Sequence, residues 1–264
     1  MTAADAHAPE RARIDAWLSA LDDRHLADLT PSEVSRALRA LSSCYVERRD
    51  KLSSGGALDG AGKRAAFALF YGAQHLFVAR EVARALFGSD DGPVTRYREV
   101  LDLGCGTGSA GAAIALTTGA SVITGLDLNP WAVKEANWTY SVLGLAGSAR
   151  VANLKRTKIT GRPGTLILAA YTVNELPTEE DREGLRQQLL DRHHHGADIL
   201  VIEPIARRTN RWWPAWEDVI RSLGGRSDEW RFRTALPARQ RALAKAAGLD
   251  VQELTARSLF AGHS

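Results

Sequence analysis

Apolar residues follow two different patterns along the chain, and the pattern changes near residue 95. Before that point they recur every three or four positions, which places them on one face of a helix. A first helical pattern begins at Ile14, and a second helix is predicted to start at the capping sequence Thr30-Pro31-Ser32-Glu33. A third helix is predicted over Lys63 to Phe87. We therefore expect residues 1–95 to form a helical N-terminal cap domain.

After residue 96, short apolar runs alternate with segments of helical spacing. This alternation is typical of an α/β domain with a mostly parallel sheet, covered by helices on both faces. We expect one such domain over residues 96–264, with its last strand, near Val251 to Phe260, as an antiparallel edge strand. The predicted strands before it are Val100–Leu103, Ser121–Asp127, Gly147–Asn153, Thr165–Tyr171 and Asp198–Glu203, with Glu229–Thr234 as a further candidate.

A packet of glycines separates the first of these strands from an alanine-rich helix. Gly104, Gly106 and Gly108 alternate with Cys105 and Thr107 in this turn. Glycine allows positive φ and lets a ligand approach the bare amides at a helix start. The turn is therefore predicted to be a ligand cradle.

Two classes of ligand use such a cradle. The run Gly106-x-Gly108-x-x-Gly111 matches the dinucleotide fingerprint, and Asp127 stands where a ribose-binding acid is expected. Asp102 argues against a dinucleotide, because its carboxylate would repel a pyrophosphate but attract a cationic sulfonium ligand. The run from Asp102 to Gly108 resembles the first motif of the Rossmann-like S-adenosylmethionine-dependent methyltransferases.

This resemblance implies a Rossmann-like, seven-stranded methyltransferase sheet with S-adenosylmethionine as the cofactor. The cradle would hold the methionine part of the cofactor, Asp127 the ribose hydroxyls and Asn153 the adenine edge. The predicted cofactor-binding residues are Asp102, Gly104, Cys105, Gly106, Gly108, Asp127, Leu128 and Asn153.

The methyl acceptor is expected at the end of the strand that leads into Tyr171. There Asn174 and Glu175 could align a nucleophile with the methyl group, with Tyr171 beside them as a further catalytic candidate. The alternative role for Asn174 and Glu175 is to cap or buttress the following helix. The predicted substrate-pocket residues are Tyr71, His75 and Glu203, with helix packing as the alternative for the first two and simple solvation for Glu203.

Several segments together resemble the ribosomal small-subunit methyltransferase-like family of bacteria and mitochondria. They are Leu41-Ser42-Ser43-Cys44-Tyr45 with Arg48-Arg49, the aromatic helix Phe67 to Arg80, the cradle, Ala170 to Pro177, and Val201-Ile202-Glu203-Pro204. The resemblance implies an association with small-subunit ribosomal RNA. The metal-binding cysteine cluster of mitochondrial relatives is missing, because no cysteine follows Cys105. We therefore expect no metal, and His193-His194-His195 is better explained by favourable charge at a helix end.

Composition and charge bear on two further questions, namely whether the chain binds nucleic acid and in which compartment it is found. The 264 residues have a net charge of +3, which permits a nucleic-acid partner without requiring one. Residues 205–241 hold nine arginines against four acids, with four interleaved tryptophans. Such a segment could bind RNA, or could be a solvated surface over a tryptophan core. With two distant cysteines, no leader and no bilayer-length apolar run, the chain is expected to be cytoplasmic, with no membrane partner.

These observations predict an S-adenosylmethionine-dependent methyltransferase, with ribosomal RNA or the small subunit as one partner. Two alternatives stay open. One is a small-molecule O- or N-methyltransferase with a helical lid, and the other is a catalytically silent ribosome-assembly factor that binds the cofactor.

Overall fold

A seven-stranded mixed sheet forms the centre of the molecule, with strand order β3-β2-β1-β4-β5-β7-β6. The computed structural model describes residues 8–47, 58–88, 96–205, 210–233, 236–249 and 251–263, and of residues 44–47 only the backbone. The strands are β1 (Glu99–Leu103), β2 (Val122–Asp127), β3 (Gly147–Val151), β4 (Thr165–Ala170), β5 (Asp198–Glu203), β6 (Arg226–Phe232) and β7 (Leu254–Ala261).

Helices precede the sheet and cover both of its faces. They are α1 (Ala8–His25), α2 (Pro31–Glu47), α3 (Ala61–Ala66), α4 (Ala73–Phe87), α5 (Ser109–Thr118), α6 (Pro130–Val142), α7 (Glu179–His194), α8 (Trp213–Ser222) and α9 (Ala238–Ala246). A π-helix, Phe67–Gly72, joins α3 to α4, and a 3-10 turn, Val173–Glu175, follows β4. The fold is the Rossmann-like α/β methyltransferase fold that the sequence predicted.

The first five strands run parallel, so their carboxyl ends meet at one edge of the sheet. Strand β1 pairs with β2 on one side and β4 on the other. Every residue of β4 and β5 is buried, as expected for central strands that are covered on both faces. Because the order reverses between β1 and β4, the crevice at their carboxyl ends is where ligands bind in such sheets.

The C-terminal strand differs from the prediction in its position. Strand β7 is antiparallel, as expected, but it lies between β5 and β6 and is not an edge strand. Its residues are almost all buried, whereas β6 alternates between exposed and partly buried positions and forms the edge.

The N-terminal helices are placed by their apolar stripes. The capping box at the start of α2 is present, with the Thr30 amide donating to Glu33 Oε2 at 2.8 Å. Val34, Leu38 and Leu41 are fully buried below it, while the predicted fourth member, Tyr45, lies outside the described side chains.

The helices before residue 88 share one hydrophobic core with a face of the sheet. Trp17, Leu69 and Val78 belong to the same buried cluster as Ile114 and Leu200. The predicted domain boundary at residue 95 falls outside the described residues, so the division at that point stays a prediction. In the described part of the chain, no helix combines the length and the apolar character needed to cross a bilayer.

Candidate active site

The glycine turn between β1 and α5 adopts the backbone that the sequence predicted. Gly104, Gly106 and Gly108 have φ angles of 66°, 53° and 77°. At Gly104 a Cβ would also lie 2.5 Å from Thr172 Oγ1, so a larger residue would clash as well as strain the backbone. Thr172 follows β4, and its hydroxyl donates to the Leu103 carbonyl at 2.7 Å. The end of β4 therefore fixes the shape of the turn.

Asp102 lies beneath this turn and is 1% exposed. In the described part of the chain neither of its carboxylate oxygens has a hydrogen-bond partner within normal geometry, although the Gly111 amide is close. Burial, followed by repulsion from Asp127, raises the pKa of Asp102 from 3.8 to about 8. A carboxylate held in this way would be stabilised by a cation bound above it.

The third glycine of the dinucleotide fingerprint has a local explanation. A Cβ on Gly111 would lie 2.3 Å from Asp102 Oδ2, so this glycine makes room for the buried carboxyl group in the first turn of α5. The formal match to the fingerprint therefore does not require a pyrophosphate.

Asp127 stands at the carboxyl end of β2, beside the turn. Its two oxygens accept hydrogen bonds from the amides of Gly106 and Asn129, each at 2.8 Å. Each carboxylate oxygen has a second lone pair, so the side chain can still accept bonds from ribose hydroxyls. Burial raises the pKa of Asp127, and the amides of Asn129 and Gly106 partly offset that effect.

The other predicted cofactor residues differ in what they present to the crevice. Cys105 is buried, and its sulfur faces Gly125 inside the fold, so only its backbone lies on the turn. Leu128 is 60% exposed beside Asp127, an unusual exposure for a large apolar side chain. Asn153 is partly buried after β3, and its amide oxygen accepts from the Lys155 amide at 3.0 Å, which leaves its NH₂ group for a base edge.

Tyr171, at the end of β4, is the one described residue other than glycine with a positive φ, 58°. Its amide donates to the Ile202 carbonyl at 2.8 Å, which ties the strained residue to β5. Its ring stacks on His75 with centroids 3.9 Å apart and planes 14° apart. Strain of this kind persists where the surrounding structure enforces it, and it is common at functional sites.

Aromatic side chains from the π-helix and α4 form a roof over the glycine turn. The Phe67 ring lies 3.9 Å from where a Gly106 Cβ would be. Phe67 contacts Tyr71, His75 and, in an edge-to-face arrangement, Trp131 from α6. We define the aromatic roof as Phe67, Tyr71, His75, Trp131 and Tyr171. The sequence predicted a helix here, but not that its middle turn is a π-helix, a form frequent at functional sites.

Asn174 and Glu203 are bonded to each other. The Asn174 side-chain NH₂ donates to Glu203 Oε2 at 2.6 Å, and its backbone amide donates to Oε1 at 3.2 Å. The Trp212 indole donates to Asn174 Oδ1 at 3.0 Å. Burial raises the pKa of Glu203 to about 8, and the Asn174 backbone amide opposes this effect. This network fixes the loop after β4, which corresponds to the buttressing alternative that the sequence offered for Asn174.

Glu175, the remaining catalytic candidate, is exposed on the 3-10 turn. Trp212 was not singled out as a site residue, because its partner is 38 positions away in the chain. Trp212, Trp213 and Trp216 are all buried. Of the two roles that the sequence offered for these tryptophans, RNA binding or a core beneath an arginine surface, their burial corresponds to the core.

The histidine run shows no arrangement typical of a metal site. His193 is buried, and its Nδ1 lies 2.9 Å from the Ala197 carbonyl, while His195 Nδ1 lies 2.6 Å from the Asp191 carbonyl. Within the described ranges, no group of three or more His, Cys, Asp or Glu side chains could hold an ion.

The residues of the crevice fit a cationic, nucleoside-containing cofactor. An unpartnered buried carboxylate lies under the bare amides of the turn, and a second carboxylate with spare lone pairs stands at the end of the neighbouring strand. Asp102 would act through the turn by its charge, and Asp127 would hold hydroxyl groups.

A comparison with protein families agrees with this chemistry. Residues 100–191, from β1 into α7, match a family model described as a methyltransferase domain. The fold and the site thus define a methyltransferase. The cofactor is S-adenosylmethionine, and the protein is an S-adenosylmethionine-dependent methyltransferase. The family model gives no support to the narrower resemblance to the ribosomal family.

Similar solved structures have low sequence identity. The methyltransferase domain of bacterial CtHen1-C is 13% identical, with 73% of this chain and 98% of that chain covered and a TM-score of 0.48. The N-methyltransferase NodS from Bradyrhizobium japonicum, bound to S-adenosylhomocysteine, is 12% identical, with 71% and 84% covered and a TM-score of 0.47. A TehB-like methyltransferase from Corynebacterium glutamicum is 17% identical, with 85% and 99% covered and a TM-score of 0.43. No curated protein matches the chain in sequence at a significant level.

Proposed function

We propose that this protein transfers the methyl group of S-adenosylmethionine to a small, planar, uncharged acceptor held beneath the aromatic roof. The observation that supports this most is the stack of Tyr171 on His75 at the end of β4, beside the glycine turn. The roof residues come from four separate elements, namely the π-helix, α4, α6 and the loop after β4. This arrangement favours an enclosed acceptor site over an open groove.

The electrostatics of the roof favour an acceptor without charge. Burial lowers the pKa of His75 to about 3, so the imidazole is neutral at physiological pH. Burial also raises the pKa of Tyr171, which stays a neutral phenol. The nearby Glu203 carboxyl is mostly protonated at neutral pH, because burial raises its pKa to about 8. A charged acceptor would therefore lose its hydration here and gain little from an opposite charge. Flat apolar rings, by contrast, gain offset-stacked or edge-to-face contacts with aromatic side chains.

The chain contributes alignment more than acid–base chemistry. The cofactor supplies an activated methyl group, and the acceptor attacks it in line, so positioning lowers the barrier. With a pKa of about 3, His75 is too weak a base to remove a proton efficiently. Asn174 is already bonded to Glu203 and Trp212, so it would position the loop rather than touch the acceptor. These constraints favour a neutral amine or an easily ionised hydroxyl as the nucleophile.

A ribosomal RNA acceptor, which the sequence resemblance suggested, has less support. The proposed stacking platform of Trp212, Trp213 and Trp216 is buried in the core. Trp230 is partly buried, stacks on Phe232 and donates its indole NH to Ser258 at 2.8 Å. None of these rings is presented to unpaired bases.

Methyl transfer from tritium-labelled cofactor into a fractionated cell extract tests the proposal. We expect label in the small-molecule fraction. His75→Ala should abolish this labelling while the affinity for S-adenosylhomocysteine stays within about twofold, whereas Asp127→Ala should weaken both. Label in RNA would contradict the small acceptor, and cofactor binding with no labelled fraction would favour the silent assembly factor.

A further inference from the structure

A cavity lies between α2 and α9, and none of its lining residues belongs to the glycine turn or the aromatic roof. Its volume is about 380 Å³, within the range of small-molecule sites. One face of α2 forms one wall and one face of α9 forms the other. The residues that matter for its chemistry are Arg36, Arg39, Arg239, Ala242 and Leu243.

The three arginines make this cavity cationic. Arg39 is anchored, because its Nη2 donates to the Ala246 carbonyl at 2.9 Å at the end of α9. Arg239 is anchored at the other side, where its Nε donates to Asp22 Oδ2 at 2.9 Å. Each anchored guanidinium keeps further N–H groups for a ligand, since arginine has five donors.

Arg36 differs from the other two arginines. In the part of the chain that the structure describes, its guanidinium makes no hydrogen bond, and its interaction is an electrostatic one with Glu33. Glu33 itself is bonded to the amide and hydroxyl of Thr30 at the start of α2. Among the described residues, no carboxylate lines the cavity, and the acids Asp22 and Glu33 are not among its lining residues. Three guanidinium groups therefore face the cavity.

We propose that this cavity binds a phosphate monoester, with the phosphate on the guanidiniums of Arg36 and Arg39 and the organic group on Ala242 and Leu243. Planar guanidinium groups pair with phosphate oxygens through two parallel hydrogen bonds. A bare phosphate would leave most of the 380 Å³ and its apolar floor unused, so the ligand includes an apolar group. The site is independent of the methyl-transfer reaction proposed above.

Titration of the full chain with phenyl phosphate, followed calorimetrically, tests this site. Phenyl phosphate should bind, inorganic phosphate should bind more weakly, and phenol should not bind. Arg36→Gln should weaken phenyl phosphate binding by at least about tenfold, because each charge-assisted hydrogen bond that is lost accounts for about that much. Arg156→Gln, which removes an exposed arginine in the loop after β3, should leave the affinity within about twofold.

Two further measurements test the cavity wall and the identity of the ligand. Ala242→Glu places a carboxylate in the cavity wall on a good helix former, and it should abolish binding without unfolding α9, which thermal denaturation checks. Equal affinity of the wild type and Arg36→Gln for phenyl phosphate would overturn the proposal. So would an Arg36-dependent preference for a ribo-oligonucleotide that lacks a terminal phosphate, since the ligand would then be an RNA backbone.

Discussion

Replacing Asp102 by Asn should separate the stability of the fold from its ability to bind cofactor. Burial raises the pKa of Asp102 from 3.8 to about 8. Between these two values the folded chain holds a proton that the unfolded chain has released. Stability therefore falls as the pH rises through this window and reaches its low level above about pH 8.

The size of this effect follows from the shift in pKa. At 1.36 kcal/mol per unit, the ionised carboxylate destabilises the folded state by an amount on the order of 5 kcal/mol above pH 8. An amide does not ionise, so Asp102→Asn should be several kcal/mol more stable than the wild type at pH 9, and the difference should shrink to about 1–2 kcal/mol at pH 5. The same variant should lose most of its affinity for S-adenosylmethionine, because it lacks the anion beneath the turn.

Urea denaturation at pH 5, 7 and 9 measures the first effect, and calorimetric titration with S-adenosylmethionine measures the second. Cofactor affinity of the wild type should also rise between pH 6 and 8, by up to about tenfold per pH unit, as Asp102 loses its proton. Asp23→Asn, which removes an exposed acid of α1, is the matched control and should change neither property. An Asp102→Asn variant that binds cofactor normally, or that gains no stability at pH 9, would refute this role of Asp102.

Two further variants test how the glycine turn and the loop after β4 are held. Gly104→Ala should destabilise the protein by about 1–3 kcal/mol, because its φ is 66° and the new Cβ would meet Thr172, and an unchanged urea midpoint would contradict this. Trp212→Phe removes the 3.0 Å bond to Asn174 and should lower kcat several-fold, with the Kd for S-adenosylhomocysteine unchanged. A rise in that Kd with no change in kcat would instead place Trp212 at the cofactor.

The parts of the fold that depend on local pattern could be predicted from the sequence. The strand before Gly104 and the capping box at Thr30 both follow from residues close together in the chain. Capping at Thr178, which accepts a bond from the Asp181 amide at 3.1 Å, is of the same kind.

The features that were missed depend on contacts between distant segments. The internal position of β7 follows from its pairing with both β5 and β6, which no local pattern specifies. The π-helix lies in an apolar run whose spacing also suits an α-helix, and the geometry appears where Phe67 meets the glycine turn. The placement of Trp212 on Asn174 likewise joins two loops that are far apart in sequence.

The central claim is that the glycine turn, Asp102 and Asp127 form a site for a cationic sulfonium cofactor. Calorimetric titration of the full chain with S-adenosylmethionine, and in a parallel cell with NADH, tests it most directly. We expect saturable binding of one S-adenosylmethionine per chain and no heat from NADH. Uptake of NADH with no response to S-adenosylmethionine would contradict it.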